Sequence, residues 1–123
     1  MANEFTGLVE RLGRIPGVRG AFVVSTEDGL VVDGRFNVDV RAPAVAALAA
    51  QLFTRAARSV SEAGFGAVRF LQLDAEKGKM MMAGSGTAVA GGLILVAVAD
   101  RRANPGRTRL EVLRAAEALQ GAA

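Results

Sequence analysis

Val18-Arg19-Gly20-Ala21-Phe22-Val23-Val24-Ser25, followed by Thr26-Glu27-Asp28-Gly29 and then Leu30-Val31-Val32-Asp33, is the stretch that decides the fold. Two runs rich in β-branched residues flank an Asp-Gly dipeptide, and glycine accepts the positive φ that a tight hairpin turn requires. Strands over 18–25 and 30–33 are therefore expected as antiparallel neighbours.

Upstream, Phe5, Leu8, Leu12 and Ile15 recur at helical spacing, with Glu4, Glu10, Arg11 and Arg14 off that stripe. This predicts a first helix over 3–15, capped by Asn3 and stopped by Pro16-Gly17. Downstream, a second helix is expected to begin between Asp39 and Pro43 and to run to about Ala63, where Gly64 and Gly66 end it. Pro43 fits only its first turn. The opening of this helix, 42–50, carries no polar side chain, and a helix apolar all round is buried on more than one side. The sheet can cover one side, so something else must cover the other. Gln51, Thr54, Arg55, Arg58 and Glu62 follow as one polar stripe at spacings of three and four.

Beyond Gly66, residues 67–73 read as a third strand, 74–78 as a polar turn and 79–83 as a fourth strand. Residues 84–92 are small and flexible in composition. Residues 93–99 form a wholly apolar fifth strand, the pattern of a central strand buried on both faces. A third helix follows, with Asn104 as its cap, Pro105 as its first residue and Leu110, Val112, Leu113, Ala116 and Leu119 as its apolar face. The order α-β-β-α-β-β-β-α implies an α/β fold of the α+β sandwich kind, with a mainly antiparallel five-stranded sheet. No repeat, linker or low-complexity segment interrupts it, so 1–123 reads as a single domain.

The composition removes much chemistry. Among 123 residues there is no His, Cys, Tyr or Trp. Ser-His-Asp and Cys-His nucleophilic sites and ordinary zinc sites are excluded, as are disulfides. The N-terminal residues show no basic region followed by an apolar run, so neither a signal peptide nor a membrane span is expected, and the default address is cytoplasmic. Fifteen Lys and Arg against twelve Asp and Glu leave a net charge of +3. The isoelectric point of about 10.5 reflects only the absence of groups that titrate near neutrality. The arginines are scattered among acids without interleaved aromatics, which argues against nucleic acid as a partner.

Local features have structural readings beside any chemical one. Gly84-Ser85-Gly86-Thr87 lacks the spacing and the Lys of a phosphate-binding loop and reads as a turn. Asp28 is explained by its turn, Asp39 by a helix cap, and Asp74 and Asp100 by strand ends, so no metal or other cofactor is expected. In Met80-Met81-Met82, strand alternation sends at least one methionine into the core. Arg55 and Arg58 have either a solvated or a docking role.

Ile15-Pro16-Gly17-Val18-Arg19-Gly20-Ala21, the run 25–32, the Ala-rich second helix, Leu95-Val96-Ala97-Val98-Ala99-Asp100, Ala103-Asn104-Pro105-Gly106 and Arg109-Leu110-Glu111 together resemble the roadblock (dynein light chain) family. The Asn104-Pro105-Gly106 step departs from the family pattern, which has an apolar residue before that glycine. The resemblance implies a sandwich with the second helix on one face of the sheet and the first and third on the other. It implies a homodimer formed through the second helix and third strand, here Val45, Leu48, Ala49, Leu52, Val68 and Phe70. It further implies a non-enzymatic platform whose partner is a Ras-like small GTPase, as for the short prokaryotic members, with Gln51, Thr54, Arg55, Arg58 and Glu62 available for docking. Two other classes stay open at this point, a passive scaffold subunit of a motor or signalling complex and a small-ligand sensor.

Overall fold

A computed structural model describes residues 5–84 and 92–122. The elements run α1 (Thr6–Gly13), β1 (Val18–Ser25), β2 (Val31–Phe36), α2 (Ala42–Glu62), β3 (Phe70–Ala75), β4 (Gly78–Gly84), β5 (Leu93–Ala99) and α3 (Pro105–Ala122). The strands form one antiparallel sheet in the order β2-β1-β5-β4-β3, which leaves β2 and β3 as its edges.

The expected hairpin is present. β1 pairs with β2, Asp28 accepts a hydrogen bond from the Leu30 N–H at 3.1 Å, and Gly29 takes a φ of 71°. β2 runs on to Phe36, past the expected end at Asp33, because β1 offers pairing sites as far back as Gly20. A register shift between Val23 and Val24 offsets Val32 from the ladder. β3 begins at Phe70, later than the expected 67, so Val68 lies in the approach to the strand. The proposed Asn3 cap and residues 85–87 of the glycine-rich run lie outside the described residues. α3 starts as expected, with the Arg107 N–H donating to Asn104 Oδ1 at 2.9 Å.

Alternation along the strands builds two cores. Ala21, Val23, Met81, Leu95 and Ala97 face α1 and α3, where Val9, Leu12, Val112 and Leu119 meet them. Phe22, Val24, Met82, Ile94 and Val96 face α2. β5 therefore buries both faces, as its uniform apolar sequence requires. Met81 and Met82 both fill core, on opposite faces.

Asp39 does not cap α2. The residue before the helix is Arg41, without a side-chain cap, and Asp39 instead pairs with the Arg19 guanidinium. Arg19 also reaches Asp100 at 3.4 Å, so one side chain ties the entry of α2 to the end of β5. The Arg102 guanidinium donates to Asp100 Oδ2 at 3.0 Å and its backbone N–H to Oδ1 at 2.9 Å. These bonds, the Arg102 side chain foremost, lower the Asp100 carboxyl to about 2. A carboxyl depressed on folding stabilises the native state above its unfolded pKa near 4, and that contribution disappears as the pH falls through about 2. Asp100→Asn should thus be less stable than the unmodified protein at pH 7, with the difference closing between about pH 4 and 2. Parallel denaturant titrations across that range check this, and a constant difference would contradict it.

Candidate interaction surface

α2 turns one row of alanines and a single phenylalanine to the sheet. Ala42, Ala46, Ala49, Ala50, Phe53 and Ala57 recur at helical spacing and are buried, and the alanines let the helix backbone lie close to the strands. The remaining sides of the helix are open. Five strands about 4.8 Å apart span roughly 19 Å, whereas a helix with side chains is about 10 Å across. α2 packs mainly on β1, β2 and β5 and reaches β4 at Met82, while Leu73 and Met80, farther along the β3–β4 ladder, stay partly open on the same face.

On that side, Val45, Leu48 and Leu52 form one row on α2. Leu48 is 45% exposed, and the other two are half-buried. Across from Leu48, a groove of about 370 Å³ is floored by Leu73, Met80 and Val98, with Lys77 and Gly78 at the β3–β4 turn. Leu73 and Met80 face each other in the β3–β4 ladder, and Met80 faces Val98 in the next. The free edge of β3 closes this side of the molecule. An apolar strip beside an unpaired strand edge is a surface that proteins normally cover.

On the other flank of α2, a second groove of about 410 Å³ runs between the helix and the β1–β2 turn, lined by Thr26, Asp28, Ala47, Gln51, Thr54 and Arg55. Thr54 Oγ1 is buried there without a hydrogen-bond partner. Gln51, Arg55, Arg58 and Glu62 are exposed, and among the described residues none makes a side-chain hydrogen bond or ion pair. Arg19, Arg102 and Arg114, by contrast, are held by carboxylates. Of the polar stripe read from the sequence, Gln51, Arg55, Arg58 and Glu62 thus lie on the outer side of α2, while Thr54 turns its hydroxyl inward.

The six residues assigned to self-contact divide. Val45, Leu48 and Leu52 share the row that borders the uncovered sheet. Ala49 is fully buried against its own sheet, so a second chain cannot reach its side chain. Val68 packs, half-buried, with the core beneath α2. Phe70 turns to the opposite face, packing on the α1–α3 core with the Arg109 guanidinium 5.2 Å from its ring centre. Leu73 and Val98 escaped the sequence reading, and Met80 entered it only within the methionine run 80–82, where strand alternation favours core packing over a binding surface. Strand alternation in the register of β3, which begins at Phe70, places Leu71 and Leu73 beneath α2's side of the sheet.

Among the described residues there is no group of three or more acidic side chains that could hold a metal ion, and no helix is long and apolar enough to cross a membrane.

The Roadblock/LC7 domain matches residues 5–99. The uncharacterized protein MJ1340 of Methanocaldococcus jannaschii is 33% identical over 109 residues, covering 89% of this chain and 90% of its own length. A Roadblock/LC7 domain from Streptomyces avermitilis superposes with a TM-score of 0.76 at 24% identity, covering 95% of this chain and 92% of its own. The gliding protein MglB of Thermus thermophilus superposes with a TM-score of 0.82 at 19% identity, covering 98% of this chain and 92% of its own. These structural likenesses show the fold.

Proposed function

We propose that this chain, which belongs to the Roadblock/LC7 family, works as a non-catalytic homodimeric platform that binds and regulates a Ras-like small GTPase through the outer surface of α2. Residues 1–123 act in this reading as one roadblock domain at a cytoplasmic address. The observation that carries the proposal is the two-sided character of α2. One flank is apolar and borders uncovered sheet, and the outer surface presents Arg55 and Arg58 with no partner within the chain among the described residues.

The division of labour follows from the chemistry of each flank. A second copy laid against Val45, Leu48 and Leu52, with its β3 paired to the first β3, would cover the apolar strip and close both strand edges. A two-fold arrangement of that kind uses the same patch on both chains. The paired outer surfaces then carry Gln51, Arg55, Arg58 and Glu62 twice over, with the Thr54 hydroxyl beneath them. Arginine pairs bidentately with carboxylates, which suits an acidic partner surface. The chain contributes no nucleophile or general base to hydrolysis. It acts by positioning groups that the GTPase already owns.

Arg55→Ala and Arg58→Ala should each weaken GTPase binding by about 1–2 kcal/mol, as partly exposed interface contacts do. Neither should abolish stimulated hydrolysis once the complex is saturated. Titration calorimetry and single-turnover GTP hydrolysis, with a Ras-like GTPase from the same organism, check both statements. If either variant binds normally but lowers hydrolysis about a thousandfold, the arginine acts on the γ-phosphate directly and the positioning mechanism is wrong. A complex that forms yet leaves hydrolysis unchanged selects the passive scaffold.

A further inference from the structure

α2 ends on a pair of bonds that fix the path of the chain beyond it. The Gly64 N–H donates to Ser61 O at 3.0 Å and the Phe65 N–H to Val60 O at 3.1 Å, the arrangement in which a glycine just past the helix lets the chain turn back. Gly64 and Gly66 take φ values of 89° and 82°, in the left-handed region that glycine adopts without strain. The residue between them has its backbone anchored to the last turn of α2. A hydrophobic side chain at this position ordinarily packs back onto that turn. Phe65 does not, and 82% of it is exposed. An aromatic ring on a fixed backbone gives up little freedom on binding, and aromatic anchors in apolar pockets carry much of an interface's energy.

The groove between Leu48 and the Leu73–Met80 pair has the complementary character, apolar within and open at the β3–β4 turn. If two β3 strands pair antiparallel about their common centre at Gln72 and Leu73, Phe70 of one chain lies opposite Ala75 of its twin. Phe65 precedes Phe70 by five residues, at most about 16 Å of extended chain. That places the ring beyond the end of the twin's strand, beside the turn where Lys77 and Gly78 form the groove mouth. Lys77 at this rim adds a cation that a ring face attracts.

We infer that Phe65 of each chain seats in the groove of its twin, so that two reciprocal aromatic anchors lock the dimer at the two ends of the paired strands. The inference rests on the reading of α2 and β3 as the self-contact, and its test separates the two. The chain contains no cysteine, so introduced thiols report without background. In sedimentation equilibrium, Phe65→Ala should raise the dimer dissociation constant about tenfold or more while leaving the circular dichroism spectrum unchanged. When F65C protein is mixed with K77C protein under mild oxidation, the mixed disulfide should form faster than either self-disulfide. An unchanged dissociation constant for Phe65→Ala, or cross-linking without that preference, overturns the anchor while leaving the dimer standing. An unmodified protein that sediments as a monomer at micromolar concentration overturns the dimer and the anchor together.

Discussion

Leu48→Glu is expected to yield a folded monomer, and Ala49→Glu, one residue along the same helix, no folded chain. Ala49 has no exposed surface and sits with Phe22, Val24 and Val96 in the core beneath α2. A glutamate there must bury a carboxylate without a partner or push the helix off the sheet. Either costs several kcal/mol, a large part of the roughly 5–15 kcal/mol that holds a domain together. Leu48 is nearly half exposed, so the same substitution changes the monomer's stability by about 1 kcal/mol or less. Its effect falls on association, because two charges would meet at the apolar strip. Thermal melts and sedimentation equilibrium at micromolar concentration distinguish the cases. A Leu48→Glu protein that melts normally and remains a dimer would move the seam away from this flank of α2.

The second large effect is expected at the end of α1. Gly17 takes a φ of 90°, and its carbonyl accepts the Asp100 N–H at 2.8 Å. A Cβ added there would lie 2.3 Å from the Ala103 nitrogen and 2.6 Å from its Cα. These are backbone atoms at the approach to α3, so no side-chain rotation relieves the overlap. Gly17→Ala combines that clash with an unfavourable left-handed alanine and should destabilise the fold by about 3–5 kcal/mol, measured by urea unfolding. A loss below about 1 kcal/mol would show that the β5–α3 connection moves freely relative to α1, against the fixed contact between Gly17 and Ala103.

Pro16-Gly17 was legible in the sequence as a break after the first helix, although α1 already ends at Gly13, and the order of elements was legible for similar reasons. Asp28-Gly29 and Asn104-Pro105 each carry a local geometry that tertiary context did not override, and the uniform apolar run of β5 could be accommodated only in the middle of the sheet. The limits of β2 and β3 were not legible. Asp33-Gly34-Arg35 breaks the alternation, yet pairing with β1 and a 2.9 Å hydrogen bond from Thr6 to Asp33 keep that segment in the sheet. Ala67-Val68-Arg69 has fair strand character but lies outside the ladder with β4, which begins at Phe70. Asp39 looked like a cap because caps are recognised locally, whereas its partner Arg19 lies twenty residues away. The phase of α2 was hidden for a different reason. With 42–50 apolar on every side, periodicity cannot tell the inward Ala49 from the outward Leu48. The groove of Leu73, Met80 and Val98 exists only once three strands are in register, so the sequence could suggest an uncovered side of α2 without naming what lies beside it.

Hydrogen–deuterium exchange on the protein mixed with a Ras-like GTPase from the same organism, loaded with a non-hydrolysable GTP analogue, tests the functional reading most directly. Docking through the outer surface of α2 predicts slower exchange at 51–62 when the GTPase is added, with α1 and α3 unchanged. Protection confined to α1 and α3, or no GTPase-dependent protection at concentrations that saturate a micromolar complex, would contradict it.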